Sequence, residues 1–550
     1  MSPTEGPTIL HIPTQPYDDQ KFGTSGLRKP TATFMREHYL DNCVQALFYA
    51  LGEEEVRGKS LGLGGDGRCT QAAQTIIRLA AGNGFARVVV GRDALLATPA
   101  ASALIRRRGL YGGIIMTASH NPGGPEHDFG IKFNRSAGEP APDHLTDRVF
   151  EETRRVAVLK LGVTRFGSFE VEVVDPAADY LAVLQEVFDF NLLRGFLGRR
   201  DFSLVFDAMH AVTGPYARRI LVEELGAPPE CVVNGTPSPD FGGGHPDPNL
   251  THAHDLVGRM WSDSAPDFGA ASDGDGDRNM VLGRRFFVNP CDSVAVIAAH
   301  AQACIPHFRQ GLKGVARSMP TSGALDRVAA ALGLRCHETP TGWKYFGSLM
   351  DAGLCSLCGE ESFGTGADHI REKDGLFAVL AWLSVLAHAN RDVPEGGPLV
   401  GVEDIVRQHW LTYGRTFFCR HDYDIPDAAQ AAAVMQHLGG VAAGAAEGAE
   451  LCGRVLRSAN DFSYTDPVDG ATTSNQGLRF IFADGSRIVF RLSGTGSRGA
   501  TLRVYLEHHC ADPARLGEDA REALRPLAGV ALELSRLEHF TGLREPSVVT

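Results

Sequence analysis

Gly113-Ile114-Ile115-Met116-Thr117-Ala118-Ser119-His120-Asn121-Pro122 is a short apolar run that ends in a polar turn. In α/β sheets, ligands gather beyond the carboxyl ends of strands, so this order presents Ser119 where a substrate would lie. Outward from it the same alternation continues. Leu61–Gly64 and Val88–Val90 read as strands, with a helix predicted near Ala72–Ala81 and another before Ile114. Upstream, Met35, Tyr39, Cys43, Val44, Leu47, Phe48 and Leu51 follow helical spacing, and residues 1–20 read as an extended arm. The alternation returns at Leu204–Phe206, Val232–Val233 and Val281–Leu282, then at Val315–Met319, Ser356–Leu357 and a helix over Gly375–Leu386. Strand–helix alternation of this kind predicts α/β domains with mixed, largely parallel sheets. The final part differs: the Ala/Gly-rich Ala428–Ala449 leads to strands Phe480–Phe482, Arg487–Leu492 and Thr501–Leu506 and a closing helix, which reads as an α+β domain.

A chain of 550 residues exceeds what one apolar core can organise. The expected units are 1–195, 196–308, 309–410 and 411–550. With 43% hydrophobic and 22% charged residues the chain reads as soluble and globular. Its 53 basic and 66 acidic residues give a formal charge of −13, which argues against a general nucleic-acid binder. An anionic substrate would need a local cationic pocket working against that field. Eleven cysteines are scattered without a disulfide framework, which points to a reducing compartment. Cys355-Ser-Leu-Cys358 is formally a C-x-x-C, but no second pair or histidine set follows, so it reads as a buried strand with two small thiols. No basic leader and no long apolar run is seen; the cytoplasm is the expected location, with no membrane association.

Four segments carry chemistry. Around Ser119 the residues also suit a plain Asn-Pro-Gly-Gly turn, so local chemistry leaves both readings open. A Ser–His hydrolase is a poorer fit, because adjacent residues rarely form a nucleophile–base pair. Gly58-Lys59-Ser60-Leu61-Gly62 precedes a strand, so it lacks the setting of a nucleophile elbow, and it also fails as a phosphate-binding P-loop. Ser272-Asp273-Gly274-Asp275-Gly276-Asp277-Arg278 places carboxylates at alternate positions, which lets a tight loop turn its oxygens onto one hard cation such as Mg²⁺. It is no EF-hand, since Arg278 holds the required glycine position and Arg284 the position of the bidentate glutamate. Gly359-Glu360-Glu361-Ser362-Phe363-Gly364-Thr365-Gly366, continuing to Arg371-Glu372-Lys373-Asp374, offers donors and acceptors suited to a polyol, or is simply solvated. Arg491-Leu492-Ser493-Gly494-Thr495-Gly496-Ser497, with Arg503, suits a phosphate cradle.

Together these segments resemble the α-D-phosphohexomutases, in their eukaryotic-type, glucose-specific phosphoglucomutase branch. The likeness spans nearly the whole chain, from Gly23-Thr24-Ser25-Gly26-Leu27-Arg28 through Arg317–Gly323, Glu338–Lys344 and Asp466–Gly470. The resemblance implies four domains around a central cleft. It further implies that Ser119 carries the transferred phosphate and that Ser119, Asp273, Asp275 and Asp277 hold Mg²⁺. Catalytic roles fall on Ser119, His120, Arg278 and Lys373, with His120 and Lys373 both open as proton acceptor. Substrate contacts fall on Thr24, Arg28, Asp277, Arg278, Thr341, Glu360, Ser362, Lys373, Arg491, Ser493, Gly494, Thr495 and Arg503. The implied reaction interconverts glucose 1-phosphate and glucose 6-phosphate, an isomerase reaction of carbohydrate metabolism. It runs through glucose 1,6-bisphosphate, which also acts as activator. Free hexose phosphates are the expected partners and a monomer the expected state. Phe22, Ala367 and Arg498 depart from the usual pattern, and Arg498 adds a cation beside the phosphate loop. The alternatives are a non-catalytic phosphosugar-binding scaffold or a mutase for another hexose phosphate.

Overall fold

Each sheet of the first three units is built the same way, with parallel strands inside and an antiparallel return at one edge. The computed structural model of the protein describes residues 8–23, 26–163, 168–493 and 500–550, so Thr24, Gly494, Thr495 and Arg498 lie outside the described residues. In the first unit Gly112–Met116, Ser60–Gly65, Arg87–Leu95 and Glu170–Val174 run parallel, while Asp128–Arg135 and then Leu27–Pro30 add antiparallel. In the second, Val232–Val233, Leu204–Asp207 and Phe268–Ser272 are parallel and Asn279–Gly283 returns antiparallel. In the third, Cys336–Thr339, Val315–Ser318 and Leu357–Gly359 are parallel and Thr365–Ala367 returns antiparallel. The fourth is a seven-stranded antiparallel sheet backed by helices Ala428–Gly444 and Ala520–Ser535.

This plan places the site. Each antiparallel return starts at the carboxyl end of a parallel strand, so the connecting loops 117–127, 273–278 and 360–364 emerge there. Those loops hold Ser119, the three aspartates and Glu360. The units also share one apolar core, a continuous cluster that includes Val89, Leu184, Phe268, Trp382 and Leu506. At its centre, helix Gly375–Ala389 is apolar on all sides and packs on Phe190–Leu197 and Pro290–Cys304. A helix without a polar face is stable only when it is buried on every side.

Two expectations need correction, and a third stretch gains a structure the sequence left unassigned. Residues 8–13 are not a free arm: strand Thr8–Pro13 pairs antiparallel with Val158–Val163. The helix read from Met35 begins at Tyr39, because His38 adopts a left-handed φ of 55° and Met35 is exposed. The stretch 428–449, marked only by composition, holds the helix Ala428–Gly444, started by Asp427 accepting from Ala429 N. Cys355 and Cys358 are buried thiols as expected, and all eleven cysteines are free.

Gly375 marks where the third unit meets the second. Its N–H donates to Gly276 O at 3.1 Å, and a Cβ there would lie 2.2 Å from Arg278 O. Gly375→Ala should therefore destabilise the protein by about 1–3 kcal/mol through overpacking. Urea unfolding checks this; an unchanged midpoint would show that the contact yields freely.

Candidate active site

Ser119 sits at the end of the buried strand Gly112–Met116 with a left-handed φ of 55°. A non-glycine residue holds that conformation only when its surroundings fix it. Here the fixing groups are a buried salt bridge and its hydrogen bonds. Arg68 Nε donates to Asp66 Oδ2 at 2.9 Å, and Thr117 Oγ1 donates to the same oxygen at 2.5 Å. Thr117 Oγ1 in turn accepts from Ser119 N at 2.7 Å, and Arg68 Nη2 donates to Ser119 O at 2.7 Å. The backbone is thereby pinned from both sides. The side chain points across the domain boundary: Ser119 Oγ donates to Asp273 Oδ2 at 3.1 Å and lies 3.4 Å from His120 Nδ1.

The loop 273–278 meets it closely. A Cβ on Gly274 would lie 2.4 Å from Ser119 O, so only glycine permits this approach. Asp273, Asp275 and Asp277 are buried, and one oxygen from each lies within 4.8 Å of the others. Burial, then Asp275 and Asp277, push the Asp273 carboxyl well above the usual range. Burial pushes Asp275 up as well, but Lys132, the Thr98 hydroxyl and Lys373 outweigh it and hold its carboxyl low. Thr98 Oγ1 donates to Asp275 Oδ2 at 2.7 Å, and Thr98 N donates to Asp275 O at 2.9 Å. Asp275 Oδ1 and Asp277 Oδ1 are nevertheless buried without a hydrogen-bond partner. Buried carboxylate oxygens left unsatisfied are the expected mark of a cation site, and an all-oxygen set suits a hard ion.

Arg278 closes the loop by donating its N–H to Asp273 Oδ1 at 2.9 Å, and its guanidinium pairs with Asp247 at 3.1 Å. Lys373 Nζ stands 3.1 Å from Asp277, which outweighs burial and keeps the ammonium charged. The neighbours of Lys373 are also engaged, so this stretch is not a solvated charged loop. Arg371 pairs with Asp351 at 2.7 Å, Glu372 binds Lys132 and accepts from Asn134 at 2.8 Å, and Asp374 caps helix Gly375–Ala389. Glu360 is buried, accepts from Gly342 N at 3.2 Å, and burial raises its carboxyl. Thr341 Oγ1 is buried without a partner, and Ser362 is half-buried on the same loop as Glu360.

Burial, then Arg278 and Arg28, hold the His120 imidazole well below its ordinary value. Arg28 and Arg278 each keep a buried Nε with no hydrogen-bond partner. In the fourth unit Asp422 lies between Arg420 at 2.9 Å and Arg503 at 3.7 Å. Arg491 donates to Gln476 O at 3.1 Å, and Ser493 ends the strand opposite Thr501. Ser119, His120, Arg28, Asp273, Asp275, Asp277, Arg278 and Lys373 thus meet at one place. Arg491, Ser493 and Arg503 sit together on the fourth sheet.

Comparison with known proteins settles the kinship. Profiles described as phosphoglucomutase/phosphomannomutase α/β/α domains I, II and III match residues 19–158, 178–285 and 290–396, and one described as phosphoglucomutase-1, C-terminal domain, matches 415–547. The chain belongs to the phosphoglucomutase/phosphomannomutase family. It is 56% identical to the chloroplastic phosphoglucomutase of Arabidopsis thaliana, over 100% of this chain and 90% of that protein. It is 52% identical to a probable cytoplasmic phosphoglucomutase of the same plant, over 98% and 99%. A crystal structure of the Paramecium phosphoglucomutase pp63/parafusin in its open form superposes with a TM-score of 0.91, at 47% identity and over all of both chains.

Several residues of this phosphohexomutase site escape sequence reading: Asp66, Arg68, Thr98, Lys132, Asp247, Glu372 in its pairing role, Arg420 and Asp422. Most of them act on partners far along the chain, and Arg420 with Asp422 is a short-range pair whose importance shows only when Arg503 is brought beside it. The segment Arg317–Gly323 joins the third unit to the fourth: Arg317 pairs with Glu338 and Thr321 Oγ1 accepts from Glu361 N, while Met319 O and Thr321 O accept from Arg487 and Gly323 N donates to Glu507 at 2.9 Å.

Arg68→Ala would leave the buried Asp66 carboxyl without its counter-charge, with Thr117 as its remaining side-chain partner. Breaking a buried pair in this way costs on the order of 3–5 kcal/mol. Arg68→Lys should recover only part of it, since an ammonium cannot reproduce the guanidinium fork that reaches Asp66, Asp128 O and Ser119 O. Denaturant melts of both variants test this, and a wild-type midpoint for Arg68→Ala would remove the pair from its pinning role.

Proposed function

We propose that this chain is a phosphoglucomutase that interconverts glucose 1-phosphate and glucose 6-phosphate through a phosphorylated Ser119 and glucose 1,6-bisphosphate. One observation carries the reading: a serine pinned on a left-handed turn, with Oγ 3.1 Å from the first of three buried carboxylates that keep unsatisfied oxygens. The relatives at 52–56% identity bear the same activity in their names, which favours this reading over a binding scaffold.

The orphan oxygens and the hard donor set fit Mg²⁺, held by Asp273, Asp275, Asp277 and a phosphate oxygen on Ser119. Bound there, Mg²⁺ supplies charge neutralisation for the phosphoryl group. Phosphoryl transfer asks the protein mainly for position and compensating charge. Arg278 and Lys373 supply that charge, each tethered by an aspartate so that it cannot wander. In the forward half, a sugar oxygen bonds the phosphorus as the Ser119 Oγ–P bond breaks, and the proton lost by the sugar hydroxyl balances the one that Ser119 gains. In the return half Ser119 must lose that proton, and His120 Nδ1, at 3.4 Å, stands where it can take it. Glu360, Ser362 and Thr341 present acceptor and hydroxyl groups for the sugar. Arg491, Ser493 and Arg503, with Gly494 and Thr495 outside the described residues, grip the non-reacting phosphate; Arg28, beside Arg278 and Asp275, and Thr24, outside the described residues, are further substrate contacts. The bisphosphate turns end for end between halves, so both phosphate positions must accept either end. The reading includes a monomer acting on free hexose phosphates. It also includes the cytoplasm as the location, since eleven free thiols fit a reducing compartment.

Enzyme purified in active form should carry phosphate on Ser119, and Ser119→Ala should lose nearly all turnover while still binding glucose phosphate. Dephosphorylated wild type should be inactive until primed with glucose 1,6-bisphosphate, and removal of Mg²⁺ by chelation should abolish turnover reversibly. Mutase rate against added bisphosphate, alongside intact mass, decides the matter: full activity without phosphate on Ser119, primed or not, would end the proposal. Arg503→Ala should weaken glucose phosphate binding by about 1.5–3 kcal/mol, the worth of a charge-assisted hydrogen bond, and leave Mg²⁺ binding intact. Parallel titrations read this out, and equal losses of both ligands would mean a damaged fold.

A further inference from the structure

Beside the carboxylate loop lies a second cluster with different donors. His245, Asp247 and His252 each offer one ligand-capable atom, and these three atoms lie within 4.8 Å of one another. The two imidazoles are close and tilted, with ring centroids 3.9 Å apart and planes 34° apart. The segment 245–252 that carries them is tightly built. Buried Asn249 accepts from Thr251 N and His252 N, both at 2.9 Å, and donates to Asp247 Oδ2 at 2.9 Å. Pro246 O accepts from Gly274 N at 3.2 Å, which fastens the segment to the loop of Asp273 and Asp275. His245 Nε2 is buried and has no hydrogen-bond partner. That is an unexplained polar atom in a well-hydrogen-bonded turn, and such atoms call for a ligand.

We propose that His245, Asp247 and His252 form a second cation site, selective for a borderline divalent transition ion such as zinc. Two imidazole nitrogens and one carboxylate oxygen are the donor set that zinc takes, with a further position left open to solvent. Magnesium prefers oxygen donors alone, so it competes poorly for a site with two imidazoles. Zinc bonds of about 2.0–2.1 Å would set the three donors roughly 3.4 Å apart, so the observed spacing closes by side-chain rotation. Asp247 can serve without abandoning its partners, because an ionised carboxylate accepts up to about four contacts. Its present contacts are Arg278 at 3.1 Å and Asn249 at 2.9 Å.

The position gives occupancy a consequence. A dication on Asp247 draws that carboxylate's charge away from Arg278, and it adds positive charge beside His120, whose ring stacks parallel to that of His245 at 6.4 Å. Arg278 is then less firmly tethered at the phosphoserine, so zinc should slow turnover. This effect on rate rests on the proposed mutase reaction, whereas binding of the ion does not.

The test is calorimetric titration of Zn²⁺ into the wild type and into His252→Ala, with Mg²⁺ held in large excess to fill the carboxylate loop. Circular dichroism of each variant verifies the fold. One zinc should bind the wild type, and His252→Ala should weaken it at least tenfold. His252→Cys, which restores a zinc donor, should recover most of the affinity. In the mutase assay, zinc should inhibit wild type and spare His252→Ala, whose activity in Mg²⁺ alone should match wild type. Equal zinc binding by wild type and His252→Ala, zinc bound only by displacement of Mg²⁺, or no zinc binding at all would each overturn the proposal. A wild type that binds zinc as described but shows no mutase activity would leave this site standing and remove the functional reading instead.

Discussion

Three carboxylates buried on one short loop are the constraint on which the rest of the structure turns. Ionised groups taken from water cost several kcal/mol each, and three together also repel one another. The surroundings are organised to offset this. Arg278 closes the loop on Asp273, Thr98 at the start of its helix binds Asp275, and Lys373 pairs with Asp277. These partners come from different units, so the loop can be stable only when the units are assembled. Two oxygens remain unsatisfied even then, which is the room a cation takes.

The topology meets this electrostatic demand by repetition. In three units a parallel strand ends, a loop forms, and an antiparallel strand returns beside it. Three loops of different chemistry therefore emerge at equivalent points: one with Ser119, one with three buried aspartates and one with the buried Glu360. The continuous core and the all-buried helix Gly375–Ala389 keep those points in register. Gly274 and Gly375 show how little slack remains, since a methyl group at either would overlap backbone of another unit.

Charge is distributed on two scales. The chain is acidic overall at −13, yet Arg28, Arg278 and Lys373 gather around the carboxylate loop, and Arg420 and Arg503 flank Asp422 on the fourth sheet. Each of the last four is held by an aspartate. Tethering restricts these side chains before any ligand binds, and Arg28 and Arg278 each keep a buried Nε donor without a hydrogen-bond partner.

The sequence by itself determined the strand–helix alternation, the serine at a strand end, the alternate-position carboxylates and the family likeness. Each of these rests on short local patterns, some of them repeated along the chain, where periodicity or the chemistry of a turn makes them visible. Only the tertiary structure decided which charges neutralise which. Thr98 reaches Asp275 across 177 positions, Lys132 reaches Glu372 across 240, and Asp66 with Arg68 fixes Ser119 from a neighbouring strand. Nothing local distinguishes Arg68 from a surface arginine, or His252 from a solvated one. The strength of such pairs comes from burial and distance, and both exist only after the chain has folded. The same holds for the segments that misled: Met35 keeps helical spacing but lies beyond the left-handed His38, and the arm at Thr8–Pro13 becomes a strand because Val158–Val163 offers it an edge.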